Sequence, residues 1–169
     1  LEGLKEDIRE YISVKNIEDL QIPFVISMTN INKGKIEYHT NGDLAKNVIA
    51  SSSIPLLFTP MEIDGELYVD GGLIDNLPAK PIRDICEKII AVNISPIVED
   101  YDLNNVLDIS VRVFQIESNA NAADNFRLCD IVIEPEELAK YNILETKKAK
   151  EMFEIGYKAA MKTDFSSLK

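Results

Sequence analysis

The sequence predicts an α/β fold, and three features carry that expectation. Helical periodicity opens and closes the chain, two tight-turn signatures divide short β-prone runs, and a helical stretch leads directly into the apolar strand IIAVNIS at 89–95. From the N-terminus, Leu1, Leu4, Ile8, Tyr11 and Ile12 recur at helical spacing with Lys5, Glu6, Arg9 and Glu10 between them, which predicts an amphipathic helix. PFVISMTNI at 23–31 is apolar and β-branched, and Lys33-Gly34 turns it into KIEYHT, a β-hairpin. Asp43 can cap a short helix that places Leu44, Val48 and Ile49 on one face and stops before Ile54-Pro55. MEI and ELYV flank Asp64-Gly65, a strong local hairpin signal. Pro78 to Lys88 is predicted helical, because proline is tolerated in a first turn, and 89–95 follows as a buried strand. LNNVLDISVRVFQI at 103–116 mixes a partly helical period with a strand-like ISVRVF, and the helical reading is preferred. CDIVIEP is a second apolar strand, stopped by Pro135, and Ala149, Met152, Phe153, Gly156 and Ala160 mark a long C-terminal helix.

Composition bounds the function. At 169 residues and 46% hydrophobic, the chain can bury one substantial core. Its 29 acidic against 18 basic residues give a net charge of −11, which repels a phosphate backbone and excludes nucleic acid as an expected partner. Cys86, Cys129 and the single His39 are too few soft ligands for a structural zinc site, and a disulfide framework is not expected either; both thiols read as free and buried. No apolar run approaches the roughly 20 residues that cross a bilayer, and the charged first residues are unlike a signal peptide, so a cytoplasmic chain is expected. The opening at Leu1 without a methionine fits a processed product or an excised piece of a longer chain.

The informative segment is ASSSIPLLFTPMEIDGELYVDGGLIDNLP, residues 50–78. It places Asp70 at a strand end, where α/β sheets form their sites, and follows it with Gly71 and Gly72, which allow a sharp turn without Cβ clashes. Taken alone, this is also what an ordinary Asp-Gly turn looks like. Read together, ASSSIP, FTP, YVDGG and DNLP, in that order, resemble the patatin-like phospholipase family in its bacterial serine-esterase branch. The 23–43 hairpin region, IIAVNIS and CDIVIEP with its trailing helix are similar to the family's C-terminal half. Residues 1–169 are therefore expected to form the C-terminal part of one such domain, an incomplete three-layer α/β/α fold.

That resemblance implies a serine hydrolase working through a Ser-Asp dyad, in which the aspartate of the DGG motif is the base; by position it is Asp70, with Gly71 and Gly72 shaping its turn. It also implies a lipid or simple ester substrate and no metal or organic cofactor; peripheral contact of the parent protein with membranes is left open, since the acidic balance of these residues disfavours anionic bilayers. The family's oxyanion loop and GxSxG elbow lie upstream of the matching region, and no GxSxG occurs in these residues. The chain is thus expected to supply the aspartate but not the serine, to need the N-terminal segment of its parent, and to be inactive alone. Ser51, Ser52 and Ser53 lack the glycines of an elbow and read as capping or packing residues. His39 reads as a solvated surface residue, Asp75 and Asn76 do not have calcium-loop spacing, and Leu56, Leu57 and Phe58 read as core. The rival reading is a non-catalytic interaction module that keeps the fold. In either case an exposed sheet edge or apolar face predicts self-association of the isolated chain.

Overall fold

The hairpin and capping signals of the first half fold as their local chemistry dictates. The structure, a computed structural model, describes residues 1–99, 103–141 and 145–168. Helix α1 (Glu2–Tyr11) leads into β1 (Ile26–Asn30) and β2 (Lys35–His39), an antiparallel pair whose turn contains Gly34 at φ 63°. Helix α2 (Leu44–Ser51) is capped by Asp43, whose carboxylate accepts the Lys46 N–H at 2.9 Å. Strands β3 (Met61–Ile63) and β4 (Glu66–Asp70) are joined by Asp64 and Gly65 at φ 53° and 80°, the two left-handed positions that a primed turn demands. The remaining elements are α3 (Lys80–Arg83), β5 (Ile90–Val92), α4 (Val106–Phe126), β6 (Ile131–Ile133) and α5 (Ala149–Lys162).

Strands β2, β1, β4 and β3 form one antiparallel sheet in that order, and β5 and β6 pair in parallel as a second, small sheet. The arrangement is mixed α/β, consistent with a fragment of a patatin-like α/β/α fold. In the first sheet, the register sets Met28 opposite both Glu37 and Asp70, and Asn30 opposite Tyr68, so these side chains share one face. On that face Ile26, Met28 and Tyr68 pack with Ile17, Leu44 and Ala50 into the buried core, which ties the sheet to α2. The other face carries Tyr38, which bonds across to the segment after β4 and through it to α4. Among the described residues no helix is long and apolar enough to cross a membrane.

Several expectations need correction. The helix predicted from Pro78 to Lys88 is confined to α3. It stops because the Arg83 guanidinium binds the carbonyls of Cys86 and Glu87 at 2.7 and 3.0 Å and that of Leu128 at 2.9 Å, bending the chain toward the strand entry at Asp130. Strand β5 forms within the predicted 89–95 but spans only Ile90–Val92, and it is covered on one side only: Ala91 is buried, whereas Ile90 and Val92 are about half exposed. Both cysteines are free, yet each is partly exposed rather than buried. Leu56 is 70% exposed at φ 71°, and Leu57 and Phe58 are half-buried, so this turn is not core. His39 is half-buried rather than solvated, packed edge-on against Tyr68 at 5.7 Å with its Nε2 3.5 Å from Glu37.

Replacing the α2 cap, Asp43→Ala, should destabilise the chain by about 1 kcal/mol. Urea denaturation should show a lower midpoint with an unchanged slope.

Candidate active site

Asp70 is the last residue of β4 and is fixed from three directions. Across the ladder it stands opposite Met28, and its N–H donates to the Ser53 carbonyl at 3.0 Å, joining the strand end to the end of α2. Beyond it the chain folds into a single 3-10 turn, Gly71–Leu73, and the Asp70 Oδ1 accepts the Gly72 N–H at 2.7 Å as its cap. The turn closes as the Gly71 carbonyl accepts the N–H groups of Ile74 and Asp75.

The two glycines are required by space, not by unusual dihedral angles. A Cβ on Gly71 would lie 2.4 Å from the Ser27 carbonyl oxygen and 2.5 Å from its Oγ, so β4 can turn over β1 only with no side chain there. A Cβ on Gly72 would lie 2.8 Å from the Asn76 Oδ1 and 3.0 Å from the Asp70 Oδ1. Any side chain at 72 would thus push on the oxygen that its own N–H holds.

Two neighbouring carboxylates differ sharply in their hydrogen-bond donors. Asp70 makes no ion pair, and its Oδ2 accepts no hydrogen bond among the described residues. Desolvation raises its pKa above the ordinary carboxylate value, and the Gly72 N–H offsets only part of this. Asp75, 6% exposed, has a donor on each oxygen: the Tyr38 hydroxyl at 2.5 Å on Oδ2 and the Asn125 amide at 2.8 Å on Oδ1. Burial, followed by this bond to Asp75, pushes the Tyr38 phenol well above its usual range. Asp75 is therefore a buried strut joining β2, the turn and α4, and its oxygens are occupied by organic donors. Among the described residues no cluster of three or more His, Cys, Asp or Glu could hold a metal ion.

The serine run is likewise engaged locally. Ser53, fully buried, donates from Oγ to the Ile49 carbonyl at 2.7 Å, and Ser52 donates to Val48 at 2.8 Å. These are the packing roles read from the sequence. Tyr38 and Asn125 escaped sequence reasoning because they lie 37 and 50 positions from Asp75 and belong to no local motif. The one available signal was an aspartate inside an apolar stretch, which when buried demands donors from somewhere.

Gly71→Ala should cost about 3 kcal/mol, at the upper end of overpacking penalties, because the obstacle is backbone. Ser27→Ala should not rescue it, since the carbonyl clash remains; a denaturation cycle of the two single variants and the double variant would reveal any coupling.

The profile of the patatin-like phospholipase family matches residues 2–83, ending within α3. An uncharacterized NTE family protein of Mycobacterium tuberculosis is 34% identical over 95 residues, covering 56% of this chain and 26% of that protein. Lysophospholipase NTE1 of Cryptococcus neoformans is 41% identical over 69 residues, 41% of this chain and 4% of its own length. Patatin-like phospholipase domain-containing protein 7 of Mus musculus is 34% identical over 109 residues, 63% of this chain and 8% of its length. The chain spans about a quarter or less of each of these relatives. The DGG turn lies inside the matched region, and over residues 2–83 this chain is similar to the patatin-like phospholipase family.

Proposed function

We propose that this chain contributes the carboxylate half of a serine hydrolase acting on carboxylic esters of lipids. Asp70 is the general base, and the nucleophilic serine belongs to a part of the parent protein outside these residues. One observation carries the reading: a carboxylate at a strand tip, held on one oxygen by Gly72, free of ion pairs, and raised in pKa by desolvation. A base so tuned lies closer to neutral pH than an exposed aspartate.

In the proposed reaction Asp70 Oδ2 takes the proton of the serine hydroxyl as its oxygen attacks the ester carbonyl. The tetrahedral intermediate collapses with release of the alcohol, which leaves with the proton from Asp70. Water then attacks the acyl-serine while Asp70 accepts its proton, and collapse returns that proton to the serine as the fatty acid departs. Donors for the oxyanion would come, like the serine, from the parent's upstream segment. The matching lysophospholipase supports a lipid ester as substrate, and such a substrate implies peripheral contact of a cytoplasmic parent with membranes.

A second reading, a non-catalytic interaction module, is favoured by the exposed apolar residues Ile90, Val92, Ile94 and Val132 on and beside the two-stranded sheet. The same surface supports self-association of the chain on its own, with the parent's N-terminal segment as its natural cover.

Asp70→Asn in the longer parent protein should lower ester hydrolysis about 10²- to 10⁴-fold. Activity within a factor of a few of the unmodified protein would refute the base assignment. The same change in this chain also tests the electrostatics. Because folding raises the pKa of Asp70, its ionisation destabilises the fold as pH climbs above the unfolded value, so Asp70→Asn should be at least as stable at pH 7. That advantage should shrink as pH falls below about 4, where Asp70 is protonated in both states.

The 169-residue chain alone should resist labelling by a serine-reactive phosphonate and sediment as a dimer or larger species at micromolar concentration. Stoichiometric labelling would place a nucleophile within it.

A further inference from the structure

The segment between α1 and β1 builds a second feature remote in sequence from the DGG turn. Residues 15–18 are pinned to the start of α2: the Leu44 N–H donates to the Lys15 carbonyl and the Ile17 N–H to the Gly42 carbonyl, both at 2.9 Å, and the Gly42 N–H donates to Glu18 at 2.8 Å. This leaves a groove of about 590 Å³ between the end of α1, residues 20–24 and α2. Ile12, Ile22, Phe24, Leu44 and Val48 line it, and no charged side chain does. Its polar contributors are Ser13, Gln21 and Tyr11.

The groove shares Ile8, Ile12 and Leu44 with an adjoining cavity of about 300 Å³ that is lined by Arg9, Lys15 and Asp43. Asp43 is already engaged as the α2 cap. Arg9 and Lys15 make no ion pair among the described residues, in a chain of net charge −11 where carboxylates are abundant. An apolar trough thus runs into a mouth lined by two cations, Arg9 and Lys15, and one carboxylate, Asp43, which leaves the mouth with a net positive charge.

We propose that this groove binds one anionic single-chain amphiphile, with its hydrocarbon tail along Ile12, Phe24 and Leu44 and its head group at Arg9 and Lys15. The volume falls within the range of small-ligand pockets, roughly 300–1,000 Å³. The charge at the mouth selects an anionic head over a neutral or cationic one. None of these residues belongs to β4 or the DGG turn, so the inference does not rest on the hydrolase reading.

Titration of the 169-residue chain with submicellar myristate, followed by calorimetry and methyl NMR, tests it. Saturable one-to-one binding is expected, with shifts concentrated at Ile12, Ile22, Leu44 and Val48. Phe24→Ser should weaken binding about tenfold, the equivalent of 1.4 kcal/mol. The double change Arg9→Gln and Lys15→Gln should weaken myristate about fivefold while leaving tetradecanol unchanged. Tetradecyltrimethylammonium should bind more weakly than myristate. Absence of saturable binding, shifts centred elsewhere, or equal affinity for the cationic amphiphile would overturn the proposal. Binding to phosphatidylcholine vesicles that displaces the myristate contacts without a one-to-one complex would reassign the surface to a membrane and overturn it too. Should Phe24→Ser fail to fold, the methyl shifts of the unmodified chain still decide the matter.

Discussion

The close approach of Gly71 to Ser27 is the constraint on which the rest of this architecture depends. The strand β4 must end against β1 and reverse there, and the Ser27 carbonyl leaves no room for a side chain at the crossing. Once the chain is forced over that point, Asp70 occupies the last position of the ladder, opposite Met28, and the next N–H but one swings back to meet its carboxylate. A turn with a Cβ at 71 would have to lift away from the sheet, and Asp70 would lose both its partner across the strand and its fixed direction.

The two aspartates on either side of this turn show how local environment assigns different work to the same side chain. Burying a carboxylate is costly unless donors replace water. Asp75 is deeply buried and receives two donors, one from β2 and one from α4, so its charge is spent on holding those elements together. Asp70 is partly desolvated but receives a single backbone donor, so its unmet proton affinity remains.

The parts of the fold that were legible beforehand are those fixed within a few residues. Asp64-Gly65 and Gly34 make their turns because left-handed backbone is cheap at those residues, and Asp43 caps α2 through an oxygen three residues from its donor. Reading failed where the decisive partner was distant. Nothing near Pro78–Lys88 reveals that Arg83 will spend its donors on carbonyls at 86, 87 and 128 and so cut α3 short. Similarly, the apolar run at 89–95 looks like a strand buried on both faces, because hydropathy reports what a residue can bury and not whether a neighbour arrives to cover it. Leu56 looks like core by the same reasoning, yet its left-handed backbone turns it outward.

By itself, then, the sequence determined the α/β class, the hairpins and caps, the acidic surface, and Asp70 as the residue at a glycine-flanked strand end, since each follows from short-range sterics or from composition. The tertiary structure decided the pairing of β1 with β4, the strut from Tyr38 through Asp75 to Asn125, and the contrast in hydrogen-bond donors between the two carboxylates. These depend on which groups are brought together across dozens of residues, and desolvation and donor count exist only once that packing has formed.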